Sequence, residues 1–75
     1  MAFSNTVVAA AWHRSGGRCE HCNRVLSWNA RGNDYSFGGW EAHHVIAVED
    51  GGPDTLSNCK ILCIPCHKRT YSYGG

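Results

Sequence analysis

Seventy-five residues with a formal charge of +1 predict one small domain, and a balance so near neutral lends no general basic character that would mark a nucleic-acid binder. A chain this short buries only about 60% of its unfolded surface, so it needs a metal, disulfides or a partner to hold a fold. No apolar run nears the ~20 residues that span a bilayer and no basic-then-apolar leader opens the chain, which predicts a soluble, intracellular, cytoplasmic protein with no membrane partner.

From Thr6 the segment TVVAAAWH is rich in Ala and Val and predicts a helix over residues 6–14. Ser4, Asn5 or Thr6 can cap its start, and Gly16 and Gly17 suit its end. Val7, Val8, Ala11 and Trp12 recur at three- and four-residue spacing, so this face packs inward with Trp12 as core filling, and His13 faces solvent. Arg24 to Trp28 reads as a short strand. Asn29 to Gly39 is polar and glycine-rich and reads as a loop, whose Tyr35 and Phe37 are expected to cover the core, with contact to nucleic acid as the other reading. Trp40 to Val48 reads as a strand, Glu49 to Asp54 as a strong turn, Thr55 to Asn58 as one helical turn, and Lys60 to Leu62 as a second strand. Ile64 and Pro65 open a last short helix, with Pro at the tolerated first-turn position, before the chain runs out at Tyr73-Gly74-Gly75. The charges are unevenly spread, with Glu41, Glu49, Asp50 and Asp54 in the middle and Lys60, Lys68 and Arg69 after the last acid.

Cys19 and Cys22 form one C-x-x-C pair, and Cys63 and Cys66 form a second after forty intervening residues. In a reducing compartment such pairs are metal ligands rather than disulfides, and an odd total of five cysteines fits no closed disulfide framework. Four thiolates around one ion predict a tetrahedral, closed, structural Zn²⁺ that contributes folding free energy directly. Gly17 and Asn23 permit the tight backbone turn that the first pair needs. Cys59 reads as a buried small hydrophobe and His21 as a non-ligand.

His43, His44, Asn58 and His67 remain outside that site. Neighbours on a strand point to opposite faces, so His43 and His44 cannot do the same job, and the expectation is that one faces a metal and the other a substrate.

In these residues the chain resembles the HNH endonuclease family with its ββα-metal (His-Me finger) motif, in a four-cysteine zinc form like that of small phage-encoded members. Gly17-Arg18-Cys19-Glu20-His21-Cys22 is similar to the family's G-R-C-x-x-C opening, and His43-His44-Val45-Ile46 to its (D/H)-H-(I/V)-x strand. The run from Gly51 to Asn58 is similar to its G-G-x-D-x-L-x-N turn, and Leu62 to His67 to its L-C-x-x-C-H close. The resemblance implies a small α+β zinc-stapled domain over residues 1–75, with an N-terminal helix, knuckles at 19–22 and 63–66, a ββα-metal core at 40–69 and a short C-terminal helix. It implies hydrolysis of DNA phosphodiester bonds, leaving 5′-phosphate and 3′-hydroxyl ends, and weak sequence specificity is expected because so short a chain has little room for a base-reading module. His44 matches the general base, for which an imidazole titrating near neutrality is suited. His43 and His67 match ligands of one catalytic divalent ion, and Asn58 matches a residue that either orients the base or adds a carbonyl ligand.

Two departures bear on the metal. Many relatives carry Asp where this chain has His43, and a nitrogen ligand shifts preference from Mg²⁺ toward Mn²⁺, Co²⁺, Ni²⁺ or Zn²⁺. Some relatives place another His one turn after the helix ligand, where Tyr71 stands here. Arg18, Lys60, Lys68 and Arg69 are candidates for phosphate contacts, with a solvated surface as the equal alternative. Phage proteins of this size resemble packaging accessories, so a terminase-like partner is part of the expectation. The rival readings are a non-catalytic zinc module that binds nucleic acid or protein, and a degenerate nuclease that binds without cutting.

Overall fold

Ser4 opens the first helix by accepting the Val7 N–H on its hydroxyl at 3.2 Å, and Gly16 ends it in the left-handed region at φ 67°. In the computed structural model, which describes residues 2–35 and 37–70, this helix (α1, Asn5–Ser15) extends the expected one by a residue at each end. Val8 and Ala11 are fully buried and pack with Ile61 in the core, while His13 lies in solvent as expected.

The sheet is one antiparallel pair, β1 (Trp40–His44) and β2 (Cys59–Cys63), in a register that sets Trp40 against Cys63, His43 against Lys60 and His44 against Cys59. Paired residues share a face. Trp40, Ala42 and His44 therefore look toward α1 with Cys63, Ile61 and Cys59. Trp12 of α1 meets Trp40 with ring centroids 4.8 Å apart, and Phe3 stacks on His44. Glu41 and His43 look the other way, to the side where α2 (Ile64–Lys68) brings His67 against His43. The hairpin thus separates two faces, and its last paired residues carry the two adjacent histidines.

Three expectations change. Arg24 to Trp28 is no strand: Val25 makes an isolated bridge to Arg18, and Trp28 enters a single 3₁₀ turn over Trp28–Ala30. Those backbone groups are used in closing the knuckle, with Cys19 N–H donating to Arg24 O and Leu26 N–H to Gly17 O, each at 2.9 Å. Tyr35 and Phe37 are 99% and 90% exposed and do not cover the core. Trp12, Trp28 and Trp40 pack against one another instead, and the Trp40 indole N–H donates to Ser27 O at 2.8 Å.

The strand expected over 40–48 stops at His44. Beyond it, Val45 N–H turns to Asn58 O, and Val48–Asp50 winds into a 3₁₀ turn closed at Gly51, φ 83°. Val45 and Ile46 are half exposed, so the apolar run there is not a buried strand. The expected helical turn is present as a 3₁₀ turn over Leu56–Asn58. Tyr71 and the Tyr73-Gly74-Gly75 end lie outside the described residues. Among the described residues, no helix is long and apolar enough to cross a membrane.

Candidate active site and metal centre

The two C-x-x-C pairs meet. The ligand atoms of Cys19, Cys22, Cys63 and Cys66 all lie within 4.8 Å of one another, and the sulfurs of Cys22 and Cys63 are 3.7 Å apart. Zn–S bonds of about 2.3 Å at tetrahedral angles put sulfurs ~3.8 Å apart, whereas a disulfide requires about 2.05 Å. The donor set and spacing therefore fit a zinc staple and no disulfide. Asn23 at φ 68° makes the first pair converge, and the N–H groups of His21 and Cys22 point at the Cys19 sulfur at 3.4 and 3.5 Å. The second pair spans the end of β2 and the first turn of α2.

Proton affinities across the cluster diverge. Burial opposes ionisation of Cys19, but backbone N–H groups led by that of Cys22 outweigh it and bring the thiol down to about 6. Burial and the neighbouring sulfurs push Cys66 up to about 12. Four such sulfurs all become thiolates only around a cation. Cys59 is fully buried and, like the exposed His21, stands outside the cluster.

Glu20, inside the knuckle, has a part that no spacing in the sequence disclosed. Its N–H donates to Ile61 O and its carboxylate accepts from Ile61 N–H, both at 2.8 Å, so the knuckle is stitched to β2. Arg14 of α1 grips the same carboxylate through two bonds of 2.8 Å and also donates to the carbonyls of Leu56 and Cys59. Although burial opposes its charge, these donors hold the Glu20 carboxyl below its usual range.

His43 and His67 come together, their rings edge to face at 5.1 Å. His43 is only 7% exposed. Burial lowers the pKa of both, helped at His43 by the charges of His67, His44 and Lys60 and opposed at His67 by Glu41. Both imidazoles are therefore held toward the neutral form, which is the form that ligates a metal. An imidazole pair of this kind fits Mn²⁺, Co²⁺, Ni²⁺ or Zn²⁺.

His44 lies on the opposite face of β1 from that pair. Its Nε2 meets Asp54 Oδ1 at 2.7 Å, and its ring stacks on Phe3 at 3.8 Å and 15°. The sequence disclosed neither partner: Asp54 stood only as a motif letter in a turn, and Phe3 precedes the first segment with a readable pattern. Asn58 is 96% buried, and its amide holds the loop after His44. The amide oxygen accepts from Ile46 N–H at 2.7 Å, while its nitrogen donates to Ile46 O at 3.1 Å and Pro53 O at 3.0 Å. Of the basic candidates, Lys68 pairs with Asp34 at 2.7 Å and Arg18 donates to Asn23 O at 3.1 Å. The position of Tyr71 is outside the described residues.

A profile of the HNH endonuclease family matches residues 19–72, which takes in both knuckles, the hairpin and α2. The chain is also 39% identical over 64 residues to the type IV methyl-directed restriction enzyme EcoKMcrA of Escherichia coli K12. That alignment covers 81% of this chain but only 22% of the relative, so the chain spans about a fifth of that enzyme's length. With a family match across most of its residues and the converged cysteine and histidine clusters, this chain belongs to the HNH endonuclease family.

Proposed function

We propose that the 75 residues act as one metal-dependent nuclease unit that hydrolyses DNA phosphodiester bonds, with His44 as general base and His43 and His67 holding the catalytic divalent ion. The observation that carries this is the meeting at 5.1 Å of His67, on α2, with His43, on a hairpin whose far end is anchored in the four-sulfur cluster. Zn²⁺ in that cluster is the staple. A divalent ion at the imidazole pair supplies Lewis-acid stabilisation of charge on the phosphate and on the leaving 3′-oxygen.

The chain's own residues supply the rest. Asp54 accepts a hydrogen bond at Nε2 of His44, which selects the tautomer whose lone pair is on Nδ1. That nitrogen takes the proton of the attacking water as its oxygen bonds to phosphorus and the bond to the 3′-oxygen breaks. Because His44 and the His43–His67 pair sit on opposite faces of β1, the scissile group lies across the end of the strand, where the ladder stops. Asn58 acts here as a positioning residue, since both ends of its amide fix the backbone just beyond that point.

DNA is favoured as substrate because the shared segment belongs, in the relative, to a methyl-directed restriction enzyme. The same finding lends no support to a terminase-like partner or a packaging role. Within these 75 residues few elements are left to read base edges, so the cutting unit by itself carries low sequence specificity. The test is supercoiled plasmid incubated with the protein and Mg²⁺, Mn²⁺, Co²⁺, Ni²⁺ or Zn²⁺, beside a His44→Ala variant. Nicking by the parent and a loss of at least about 100-fold in the variant is expected for removal of a general base. No nicking with any ion, or equal nicking by the variant, favours the zinc-module reading instead.

A further inference from the structure

One groove on this molecule has the charge pattern of an anion track. Lys60 and Arg69 line it with His21, His43 and the cluster cysteine Cys66, and no carboxylate lines it among the described residues. At about 260 Å³ it is several times the ~30 Å³ that a water occupies, so a phosphate and its sugar can enter. His43, the residue opposite Lys60 in the β ladder, lines the groove and meets His67 with ring centroids 5.1 Å apart.

The cations of the chain divide by what they already do. Arg14 is engaged by Glu20, Lys68 by Asp34, Arg18 by Asn23 O, and Arg31 lies over the Trp40 ring. Lys60 and Arg69 are exposed and make no salt bridge among the described residues. Arg24 is also exposed, but it lines a different groove beside Asp34. Lys60 and Arg69 therefore share one groove, free of carboxylates among the described residues, that includes the proposed metal ligand His43.

We propose that this groove holds the DNA backbone on one side of the cut, with Lys60 and Arg69 each neutralising a phosphate next to the scissile one. The choice of DNA as occupant rests on the endonuclease reading; the location and the two residues rest on charge and shape. Contacts of this kind position the strand and carry no sequence preference.

The test measures binding rather than cutting. The zinc-loaded full chain, in a His44→Ala background to suppress cleavage, is titrated against a fluorescent DNA duplex across a salt series. Each neutralised phosphate contributes about 0.9 to the slope of log affinity against log salt. Lys60→Gln and Arg69→Gln should each flatten the slope by about 1, and the double variant by about 2, uniformly across duplex sequences. Lys60→Arg should keep the parent slope, and Arg24→Gln should leave it unchanged. Zinc content and melting temperature of each variant establish that the fold is intact.

Unchanged slopes in Lys60→Gln and Arg69→Gln would overturn the proposal, as would equal flattening by Arg24→Gln or no duplex binding at low salt. Slopes that stay put while the His44-intact parent still nicks plasmid refute the groove and leave the nuclease reading standing. Slopes that fall while no ion supports nicking do the reverse.

Discussion

His44 is held from two sides, by the Asp54 carboxylate at 2.7 Å and by the Phe3 ring at 3.8 Å. Phe3 precedes the segment that matches the family, so the ring that braces the proposed base is supplied by the chain entering α1. Asp54→Asn keeps the shape of the carboxylate but removes its charge. Its kcat should fall about 10- to 100-fold, the usual effect of losing a group that orients an imidazole, with zinc content unchanged. A kcat equal to the parent's would remove Asp54 from the mechanism.

His43 and His67 carry a pH signature. Both fold with pKa values below the ordinary 6.5, so between those values the unfolded chain binds more protons than the folded one. Their contribution to stability is therefore complete above about 6.5 and declines as pH falls through that value toward the lowered ones. Urea midpoints taken at about pH 7.5 and about pH 6 should drop on acidification, and a His43→Asn, His67→Asn double variant should show a smaller drop. An equal drop in the variant would assign the pH dependence to the thiols instead.

At the scale of elements, the segment between the two strands is where backbone detail decides the site. Gly52 sits so close to Ile46 O that a Cβ built there would approach to 1.8 Å, against backbone rather than a yielding side chain. Gly52→Ala must therefore displace the loop that carries Asp54, and nicking should be lost even where the protein still binds zinc. Asn58→Ala strips three hydrogen bonds from the same loop, which should cost about 1–3 kcal/mol in denaturant unfolding for the buried groups left unpaired.

This segment also shows what the sequence could and could not disclose. The cysteine spacing and the ordered His, Asn and His were legible because metal geometry and the family motif constrain them by type and distance. The end of β1 was not. Val45-Ile46-Ala47-Val48 reads as a buried strand, yet a single asparagine draws its backbone out of the ladder, and a side-chain-to-backbone bond twelve residues away has no periodicity to reveal it. Tyr35 and Phe37 misled as well: aromatic character alone does not show whether a loop side chain packs inward, and both lie exposed while Trp12, Trp28 and Trp40 pack together. The pairing of Glu20 with Arg14 and Ile61 was equally hidden, since it depends on how the knuckle docks on β2.

For the whole molecule, the sulfur cluster closes a chain that α1 and a two-stranded hairpin could hardly hold alone. Its ligands come from the knuckle, the end of β2 and α2, so an ion held there would tie together the elements that present Glu20 and His67 and the strand against which His43 is paired. Cys63→Ser opens that shell and should lose the fold, seen as loss of zinc and of the cooperative thermal transition, and a strong chelator should do the same to the parent. A Cys63→Ser variant with parent zinc content and melting temperature would show that the cluster is not what holds the domain.

The proposed activity needs one sealed metal position and one open one. Crystals grown with zinc and soaked in Mn²⁺, with anomalous scattering recorded at both absorption edges, test it most directly. Zinc is expected among Cys19, Cys22, Cys63 and Cys66, and manganese at His43 and His67. Manganese absent from the two imidazoles, or bound elsewhere on the chain, would contradict it.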